Sequence, residues 1–242
     1  MTKATTPPQG YKQTKIGVLP VDWDAVRLKK LILKFESGVS VNGENRPLEK
    51  GEIGVLKVSA VSYGVFNSTA AKAVIEDDLD RVRTNPKKGQ IIISRANTPE
   101  LVGASAFVHD DYPDLYLPDK LWQTVTDEKV VDNRYLFATL QSSRVKERTK
   151  NLATGSSGSM KNISKPSFLS IQIPLPPLPE QQKIAKTLST WDEAIRLQTQ
   201  LINAKQEQKR GLMQNLLLGE IQLSGFQDNW VVTSLSSYFD ER

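Results

Sequence analysis

Short apolar runs alternate with turn-forming residues over most of the chain, and a single long helical pattern follows them. Val and Ile dominate the runs and Gly, Pro, Asn and Asp bound them, which is typical of β-strands. Five segments predict strands: EIGVLKVSAV, AKAVI, GQIIISRA, ASAFVHD and LWQTVTD. Two others, VRLKKLILKF and NRYLFATLQSSRVKERT, predict helices, and Asp132 or Asn133 is placed to cap the second. The pattern predicts an α+β fold with a globular, mixed or mostly β domain.

A proline-rich link separates this region from the long helical pattern. Four prolines fall within IQIPLPPLPEQQ, and proline favours extended chain because its ring fixes φ and removes the N–H donor. From Glu180 to Leu217 there is no proline, which predicts a helix of 38 residues, about 57 Å long. Gly219 is a natural stop for this helix.

The predicted long helix is amphipathic. Its apolar residues recur at steps of three and four and form one stripe: Ile184, Leu188, Trp191, Ile195, Leu201, Ile202, Leu212 and Leu216. A lone helix of this length cannot bury such a stripe, so it requires a partner helix. Because one such helix is present, we expect another copy or another protein to supply the partner helix, and a second copy in an antiparallel coiled coil is the interpretation that we prefer. The alternative is that the helix packs on its own domain.

These patterns divide the chain into a loose leader, a globular domain, a link with the long helix, and a final segment, at residues 1–12, 13–175, 176–220 and 221–242. The final segment resembles the beginning of the chain. Trp23 and Trp230 lie 207 positions apart, as do Leu28 and Leu235. This common offset predicts that the final segment is the start of a second, truncated repeat.

Composition excludes several kinds of site. The chain has no Cys and one His, which excludes disulfides, zinc-thiolate sites, cysteine nucleophiles and paired-His metal sites within one chain. It has neither the GxxxxGK motif of a phosphate-binding loop nor a GxGxxG motif after a strand. No apolar stretch approaches the roughly 18 residues of a membrane span, and the polar start lacks the apolar core of a signal peptide. We expect a soluble, cytoplasmic protein without a metal site.

The net charge of +5 is concentrated in two segments. Residues 144–165 hold six basic residues and one acid, and residues 81–100 hold five basic residues and one acid. Both segments contain loops in which Gly, Ser, Asn and Thr accompany the cations. These groups are the ones that contact DNA phosphates and base edges. Solvated surface loops are the alternative interpretation of either segment.

Three loops are therefore candidates for contact with DNA: loop 1 (residues 37–45), loop 2 (residues 94–100) and loop 3 (residues 154–162). Arg can pair with guanine and Asn with adenine through two hydrogen bonds each. The glycines and serines of loop 3 allow close approach to phosphate. The candidate residues in these loops are Ser40, Asn42, Arg95, Asn97, Thr98, Ser156, Ser157, Ser159, Lys161 and Asn162.

Each loop has a structural alternative, since it can simply be a turn, and Asn97 in particular can serve only to hold its loop. Lys87 and Lys88 are candidate phosphate contacts outside these loops. An exposed lysine pair adds affinity for any DNA but carries no sequence preference.

One pattern suggests a nuclease instead. Asp119 follows a proline, and Asp127 is followed two positions later by Lys129, which matches two carboxylates for Mg²⁺ and a lysine that positions water. The pattern is short and consists of common residues, and its second half falls where a turn is expected. A solvated turn is the alternative.

The stretch SIQIPLPPLPEQQKIAKTLSTWDEAIRLQTQLINAKQEQKRGLMQNLLLGEIQL resembles the conserved region of the specificity subunit of type I restriction-modification systems. Its IPLPPLPEQ, KIA, WDEAI and KRGLMQNLL motifs carry the resemblance. The segments LPVDWDAVRL, GVLKVSAVSYGVF, GQIIISRANTPELVGA and GSMKNISKPSFLSIQIPLP resemble parts of a target-recognition domain of the same family. The resemblance therefore covers nearly the whole chain after the leader.

The family usually carries two target-recognition domains and two conserved helices, so this chain resembles a half-length specificity subunit. The resemblance implies a non-catalytic protein that recognises a bipartite, palindromic double-stranded DNA site as a homodimer. It implies a modification subunit and a restriction subunit as partners. S-adenosylmethionine, ATP and Mg²⁺ would bind to those partners, and no cofactor to this chain. An assembly or decoy protein that has lost DNA binding is the remaining alternative.

Overall fold

The computed structural model describes residues 7–155, 160–226, 228 and 230–235, and these residues form sixteen strands and four α-helices. The strands are β1 (Tyr11–Thr14), β2 (Gly17–Pro20), β3 (Asp24–Arg27), β4 (Ile32–Ser37), β5 (Gly43–Glu44), β6 (Gly54–Leu56), β7 (Val61–Ser62), β8 (Val65–Phe66), β9 (Ala71–Val74), β10 (Ile91–Ser94), β11 (Ala96–Asn97), β12 (Ser105–Phe107), β13 (Leu115–Tyr116), β14 (Leu121–Thr126), β15 (Lys161–Asn162) and β16 (Gln172–Leu175). The helices are α1 (Asn133–Gln141), α2 (Ser143–Leu152), α3 (Lys165–Leu169) and α4 (Leu178–Leu217).

A four-stranded antiparallel sheet, in the order β12–β10–β14–β4, forms the centre of the domain. Side chains alternate between the two faces of a strand, so Ile91 and Ile93 point to one face and Ile92 to the other. All three side chains are fully buried. Both faces of the sheet are therefore covered at β10.

Two hydrophobic clusters cover these faces. The first contains Ile91 and Ile93 together with one or more buried side chains from each of the four helices. The second contains Ile92 together with Leu56 and Leu115, which belong to a smaller mixed sheet in the order β13–β6–β9–β5. In this smaller sheet β13 and β6 are parallel, and the other pairs are antiparallel. The arrangement confirms the predicted α+β fold.

The prediction of a helix for the segment VRLKKLILKF is wrong. This segment forms the end of β3, a 3₁₀ turn at Leu28–Lys30 and the first part of β4. Strand β3 pairs with β16, and β4 pairs with β14. Leu28 and Leu31, which lie between β3 and β4 in the chain, are fully buried. Pairing and burial therefore override the helical spacing of the apolar residues.

The predicted helix NRYLFATLQSSRVKERT is two helices. Asp132, one of the two predicted caps, caps α1, because its carboxylate accepts hydrogen bonds from the amides of Arg134 and Tyr135. The chain then turns at Ser142, which has an extended backbone and whose hydroxyl accepts a hydrogen bond from the amide of Val145 in α2. Serine favours such a cap over a helix interior because its hydroxyl competes for backbone groups.

The domain is longer at both ends than its predicted boundaries. The predicted loose leader, residues 1–12, ends earlier, because Tyr11 and Lys12 already pair with Pro20 and Leu19 in the β1–β2 hairpin. At the other end, one compact unit extends to Ser189, and a second unit begins at residue 190. The first turns of α4 therefore belong to the domain.

A buried glutamine joins α4 to the domain. Gln181 is fully buried, and its side-chain oxygen accepts a hydrogen bond of 3.0 Å from the amide of Asp132. Its side-chain nitrogen donates to the carbonyl of Val130 at 3.0 Å and to the carbonyl of Pro176 at 2.9 Å. The side chain thus connects α4, the proline-rich link and the turn before α1.

The next residues of α4 extend this contact. Ala185 is buried in the first cluster, and Ile184 packs against that cluster. Trp23 also donates a hydrogen bond of 3.0 Å from Nε1 to Oε2 of Glu180. Ile184 therefore lies against the core of its own domain, although its apolar spacing predicted a contact with a second copy.

The second unit has a different character. From Thr190 to Leu217, most apolar side chains of α4 are exposed: Trp191 (68%), Ile195 (63%), Leu201 (53%), Ile202 (55%) and Leu212 (51%). Leu216 is half-buried. Gly219, at φ +74°, follows the helix end as expected. Among the described residues, no helix has both the length and the apolar character needed to cross a membrane.

Replacement of Gln181 tests whether this side chain fixes α4 on the domain. We expect Gln181→Ala to lower the free energy of unfolding by about 3 kcal/mol, because it removes a fully buried side chain and leaves the amide of Asp132 and the carbonyls of Val130 and Pro176 without this partner. Gln182→Ala is the matched control, since Gln182 is exposed. Urea unfolding followed by circular dichroism measures both. An equal, small loss for the two variants would contradict the proposed role of Gln181.

Candidate nucleic-acid interface

Three connections meet at one end of the central sheet. Ser94 at the end of β10 pairs with Leu121 at the start of β14, and Trp122 pairs with Ser37 at the end of β4. Loop 1 leaves β4 at this end and loop 2 leaves β10 there, while the turn before Leu121 enters β14. The side chains of β10 are buried on both faces, whereas the loops at this end carry polar groups.

Loops 2 and 3, which the sequence placed 60 residues apart, are adjacent. Strand β11 of loop 2 pairs with β15 of loop 3, with Ala96 opposite Asn162 and Asn97 opposite Lys161. The amide of Asn162 donates to the carbonyl of Thr154 at 2.8 Å, and the amide of Thr154 donates back at 2.8 Å. The two candidate loops therefore form one surface.

Arg95 holds this surface together. Its Nε donates to the carbonyl of Asp119 at 2.9 Å, and its two terminal nitrogens donate to the carboxylate of Asp119 at 3.3 Å and to Oδ1 of Asn162 at 3.2 Å. The backbone carbonyl of Arg95 also accepts from the amide of Ile163 at 2.9 Å. The guanidinium is thus engaged by both loop 3 and the turn before β14.

A cavity of about 330 Å³ opens beside Arg95, and we call it the loop cavity. Its polar lining consists of Arg95, Thr154, Asn162, Ser164 and Lys165. Trp122 forms an aromatic part of the wall, and the ammonium group of Lys165 lies 5.8 Å from the centre of its ring. The loop cavity thus combines two cations with uncharged hydrogen-bonding groups.

The loop cavity contains two of the predicted residues, Arg95 and Asn162, together with others that were not predicted from sequence. Lys165 lies at the end of the basic segment 144–165, so its charge was a signal that could have identified it. Thr154 is the first residue of loop 3. Trp122 lies in a strand whose apolar pattern gave no sign that its ring borders a polar cavity.

The other candidates in loops 2 and 3 support the loops themselves. Asn97 donates to the hydroxyl of Ser94 at 3.1 Å, and its Oδ1 accepts from the amide of Thr98 at 2.8 Å. The ammonium group of Lys161 donates to the carbonyl of Gly155 at 3.0 Å. Asn97 therefore holds its loop, the alternative considered for it from sequence. Ser156, Ser157 and Ser159 lie outside the described residues.

Loop 1 begins beside this surface but continues towards a different contact. At Gly38 an added Cβ would lie 1.4 Å from the carbonyl oxygen of Leu117, so only glycine allows this close approach. Farther along, Asn42 donates from its amide and from Nδ2 to the carboxylate of Asp78, at 2.6 and 3.0 Å. Ser40 accepts from Arg81 through its carbonyl. Neither Ser40 nor Asn42 lines the loop cavity.

The carboxylate of Asp78 is the charged centre of this contact. Asp78 is 4% exposed and forms an ion pair with Arg81. The pKa of Asp78 lies below its ordinary value of 3.8, first because the amide of Asn42 donates to the carboxylate and then because Arg81 does. The ionised form of Asp78 is therefore the one that stabilises loop 1.

Lys87 and Lys88 are exposed on the segment before β10. The ammonium group of Lys87 lies 3.8 Å from the carboxylate of Glu36. The hydrogen bond from Lys34 is the main cause that lowers the pKa of Glu36, and the charge of Lys87 contributes. The backbone amide of Lys88 donates a hydrogen bond of 2.9 Å to the carboxylate of Asp111. Both ammonium groups are accessible to a phosphate.

The geometry contradicts the nuclease alternative. Asp119 precedes β14 and Asp127 follows it, so about 25 Å separates them at about 3.3 Å per residue of extended chain. Two carboxylates must lie within a few ångströms to share one Mg²⁺. Asp119 instead pairs with Arg95, and Asp127 accepts from the amide of Lys129 within a turn. In the part of the chain that the structure describes, no group of three acidic or His side chains is arranged to hold a metal.

The fold and the site together define a class of protein. A domain with a cationic cavity, formed by loops at one end of a buried sheet, is followed by a long helix with exposed apolar side chains. This combination is typical of a binding protein that assembles with partners.

Comparison with known proteins identifies the family. The type I restriction modification DNA specificity domain matches residues 20–206, and the chain therefore belongs to this family. It is 26% identical over 224 residues to the type I restriction enzyme MjaVIII specificity subunit of Methanocaldococcus jannaschii, covering 92% of this chain and 52% of that protein. The predicted family is confirmed.

Solved structures support the same fold. The S subunit of a type I restriction-modification system from M. genitalium has a TM-score of 0.59 at 19% identity, over 80% of this chain and 45% of that chain. The HsdS subunit from Thermoanaerobacter tengcongensis has a TM-score of 0.54 at 21% identity, over 86% of this chain and 52% of that chain. The chain spans about half the length of the relatives it matches.

The contact between Asp78 and loop 1 predicts a pH-dependent stability. We expect Asp78→Asn to lower the free energy of unfolding at pH 7, because it removes the charge that Asn42 and Arg81 contact. The difference in free energy of unfolding between the wild type and Asp78→Asn is complete above pH 3.8. It declines as the pH falls through the lower pKa that Asp78 has in the folded state. Urea unfolding between pH 3 and pH 7 measures it.

Asp77→Asn is the control for this experiment, since Asp77 is the exposed neighbour of Asp78. It should leave the free energy of unfolding near that of the wild type at pH 7. A difference between wild type and Asp78→Asn that stays constant down to pH 3 would contradict the role of the ionised carboxylate.

Proposed function

We propose that this chain is the sequence-specific DNA-recognition component of a type I restriction-modification complex, and that it acts by binding alone. The observation that carries the proposal is the joining of loops 2 and 3 into one surface around the loop cavity. Membership of the DNA specificity domain family supports it. The proposed substrate is double-stranded DNA.

The loop cavity suits this role chemically. Lys165 and Arg95 supply positive charge for a phosphate, while Asn162, Thr154 and Ser164 supply neutral donors and acceptors. All three nitrogens of the Arg95 guanidinium donate to Asp119 or Asn162, so Arg95 chiefly positions the groups around it. Asn162 is exposed next to it and is the stronger candidate for a base edge.

We further propose that two copies pair through α4 in antiparallel orientation. An apolar groove of about 420 Å³ lies among Leu212, Met213, Leu216 and Leu217 of this helix. In an antiparallel pair centred near Ile202, Trp191 of one copy lies opposite this groove of the other. Burial of Trp191 and of the groove would remove the largest exposed apolar side chains of α4 from water.

The pairing has consequences for the DNA site and for the partners. Two identical domains related by a two-fold axis require a site that shares this axis, with palindromic outer parts and an unspecified gap. The complex would include a modification subunit and a restriction subunit, which would bind S-adenosylmethionine, ATP and Mg²⁺. Its proposed DNA substrate would place it in the cytoplasm.

Substitutions at the interface test which residues carry sequence preference. A preferred duplex is first selected from a randomised pool by the chain together with its modification subunit. We expect Arg95→Ala or Asn97→Ala to weaken binding mainly to the preferred duplex, because loops 2 and 3 lose their positions. Lys87→Ala combined with Lys88→Ala should weaken binding to the preferred and random duplexes equally. It should also lower the salt slope, the steepness with which the logarithm of the affinity falls with the logarithm of the salt concentration, by up to about 2.

Fluorescence anisotropy against salt concentration measures these effects. Equal losses on the two duplexes for Arg95→Ala would contradict its role in recognition and leave it as a phosphate contact. If the parent complex selects no duplex at all, the proposal fails and an assembly protein without DNA binding is favoured.

The pairing through α4 has its own test. We expect Trp191→Asp to convert the dimer to a monomer at ten micromolar, because a carboxylate buried without a partner costs several kcal/mol. Gln200→Asp is the matched control, since nine positions place it on the opposite side of the helix from Trp191. Light scattering measures both. A Trp191→Asp variant that remains dimeric would show that Trp191 lies outside the interface.

A further inference from the structure

A second cationic depression lies on the domain, and we call it the helix cleft. It has a volume of about 400 Å³ and lies between the turn of the β1–β2 hairpin, α2 and the residues that follow α3. Lys15, Arg144 and Arg148 line it, together with one acid, Glu147. None of the described residues of the three loops predicted to contact DNA lines it.

The sequence of α2 explains how the cleft arises. Val145 and Thr149 are buried and attach α2 to the domain. Arg144 and Arg148 are one helical turn apart on the same flank of this helix. The position of a Cβ added at Gly17 would be 3.6 Å from the guanidinium of Arg144, so this side chain lies against the hairpin.

The cations of the helix cleft are available for an external anion. Within the part of the chain that the structure describes, Lys15, Arg144 and Arg148 take part in no ion pair. This contrasts with Arg95, Arg81 and other cations of the domain, which pair with carboxylates. Three unpaired cations at one depression attract a polyanion more strongly than isolated surface charges do.

The helix cleft and the loop cavity lie at opposite ends of α3. Ser164 and Lys165, at the start of α3, line the loop cavity, and Ser170, just after its end, lines the helix cleft. The intervening helix covers about 9 Å at 1.5 Å per residue. Phosphates of one DNA strand advance about 3.4 Å per nucleotide along the axis, so one strand reaches both depressions within about three nucleotides.

The surface between the two depressions favours DNA over a protein partner. Residues 162–172 contain no acidic residue. The apolar residues of the helix cleft, Ile16, Val145 and Ile171, are buried, so the cleft offers no exposed apolar anchor. Protein interfaces usually have an apolar core, whereas phosphate contacts need only charge and hydrogen-bond donors.

We propose that the helix cleft binds phosphates of the DNA strand that leaves the loop cavity along α3. This inference rests on the proposed function and extends it: the domain would hold the backbone beside its recognition site through α2, independently of sequence. Arg144 and Arg148 would contact successive phosphates, and Lys15 would complete the contact from the hairpin.

Paired substitutions in α2 test the inference. We expect Arg144→Ala combined with Arg148→Ala to lower the salt slope by about 1.8, near 0.9 for each phosphate that is no longer neutralised. Affinity at physiological salt should fall by about tenfold for both the preferred and the random duplex, which leaves their ratio unchanged. The experiment uses the complex with the modification subunit. Fluorescence anisotropy is measured between about 50 and 300 mM salt, a range in which a change of about tenfold in affinity is readily detected.

The same helix offers a matched control. Lys146→Ala combined with Lys150→Ala removes an equal charge from the same helix, but these side chains lie on the other flank and line neither depression. We expect this control to change the slope by less than half as much. Thermal unfolding of both variants confirms that the exposed substitutions leave the fold intact.

Three results would overturn the inference. The first is an unchanged salt slope in the arginine variant, and the second is an equal effect in the lysine control. The third is an arginine variant that binds DNA normally but no longer binds the modification subunit, which would make the cleft a protein contact. Failure of the proposed function is distinguishable from these, since the parent complex would then bind preferred and random duplexes equally or not at all.

Discussion

Burial of the two inner strands of the central sheet, β10 and β14, on both faces is the constraint on which the rest of the domain depends. The alternating isoleucines of β10 enter separate clusters, one under the helices and one under the smaller sheet. The inner strands β10 and β14 leave no open face for a ligand, so the ends of these strands and the loops that leave them present the polar groups. Loops at one end of a rigid sheet can differ in sequence while the sheet stays the same.

At this sheet end, one arginine connects segments that are distant in sequence. Arg95 follows β10, while its partners Asp119 and Asn162 lie before β14 and at the end of loop 3. A group with several fixed hydrogen bonds stabilises the positions of its neighbours, so the neutral side chains near it are held in place before a ligand arrives. Gln181 does the same for the first turns of α4, through the three hydrogen bonds of its buried side chain.

The sequence predicted some features well because local chemistry determines them. Strands of the central sheet follow from Val- and Ile-rich runs, the cap at Asp132 follows from its side chain, and α4 follows from a long stretch without proline. The helix expected across Leu28 and Leu31 failed because its apolar spacing fits a helix, while pairing of β3 with β16 and β4 with β14 decides the structure.

The site was less predictable than the fold, for a physical reason. Residue type and charge indicated the right segments, but not which side chains would be engaged by the domain itself. Asn42 and Asn97 looked equivalent to Asn162 in sequence, yet the first binds Asp78 and the second holds its own loop. Lys165 and Arg148 were inconspicuous members of a basic segment, and only the fold places them at depressions.

The central claim is that two identical domains, paired through α4, recognise DNA. The most direct measurement is the methylated motif in genomic DNA of cells that express this chain and its modification subunit, with no other specificity subunit present. A motif with two palindromic outer parts and an unspecified gap is the expected result, since both copies must make the same contacts. A reproducible asymmetric motif from this chain alone would contradict the claim.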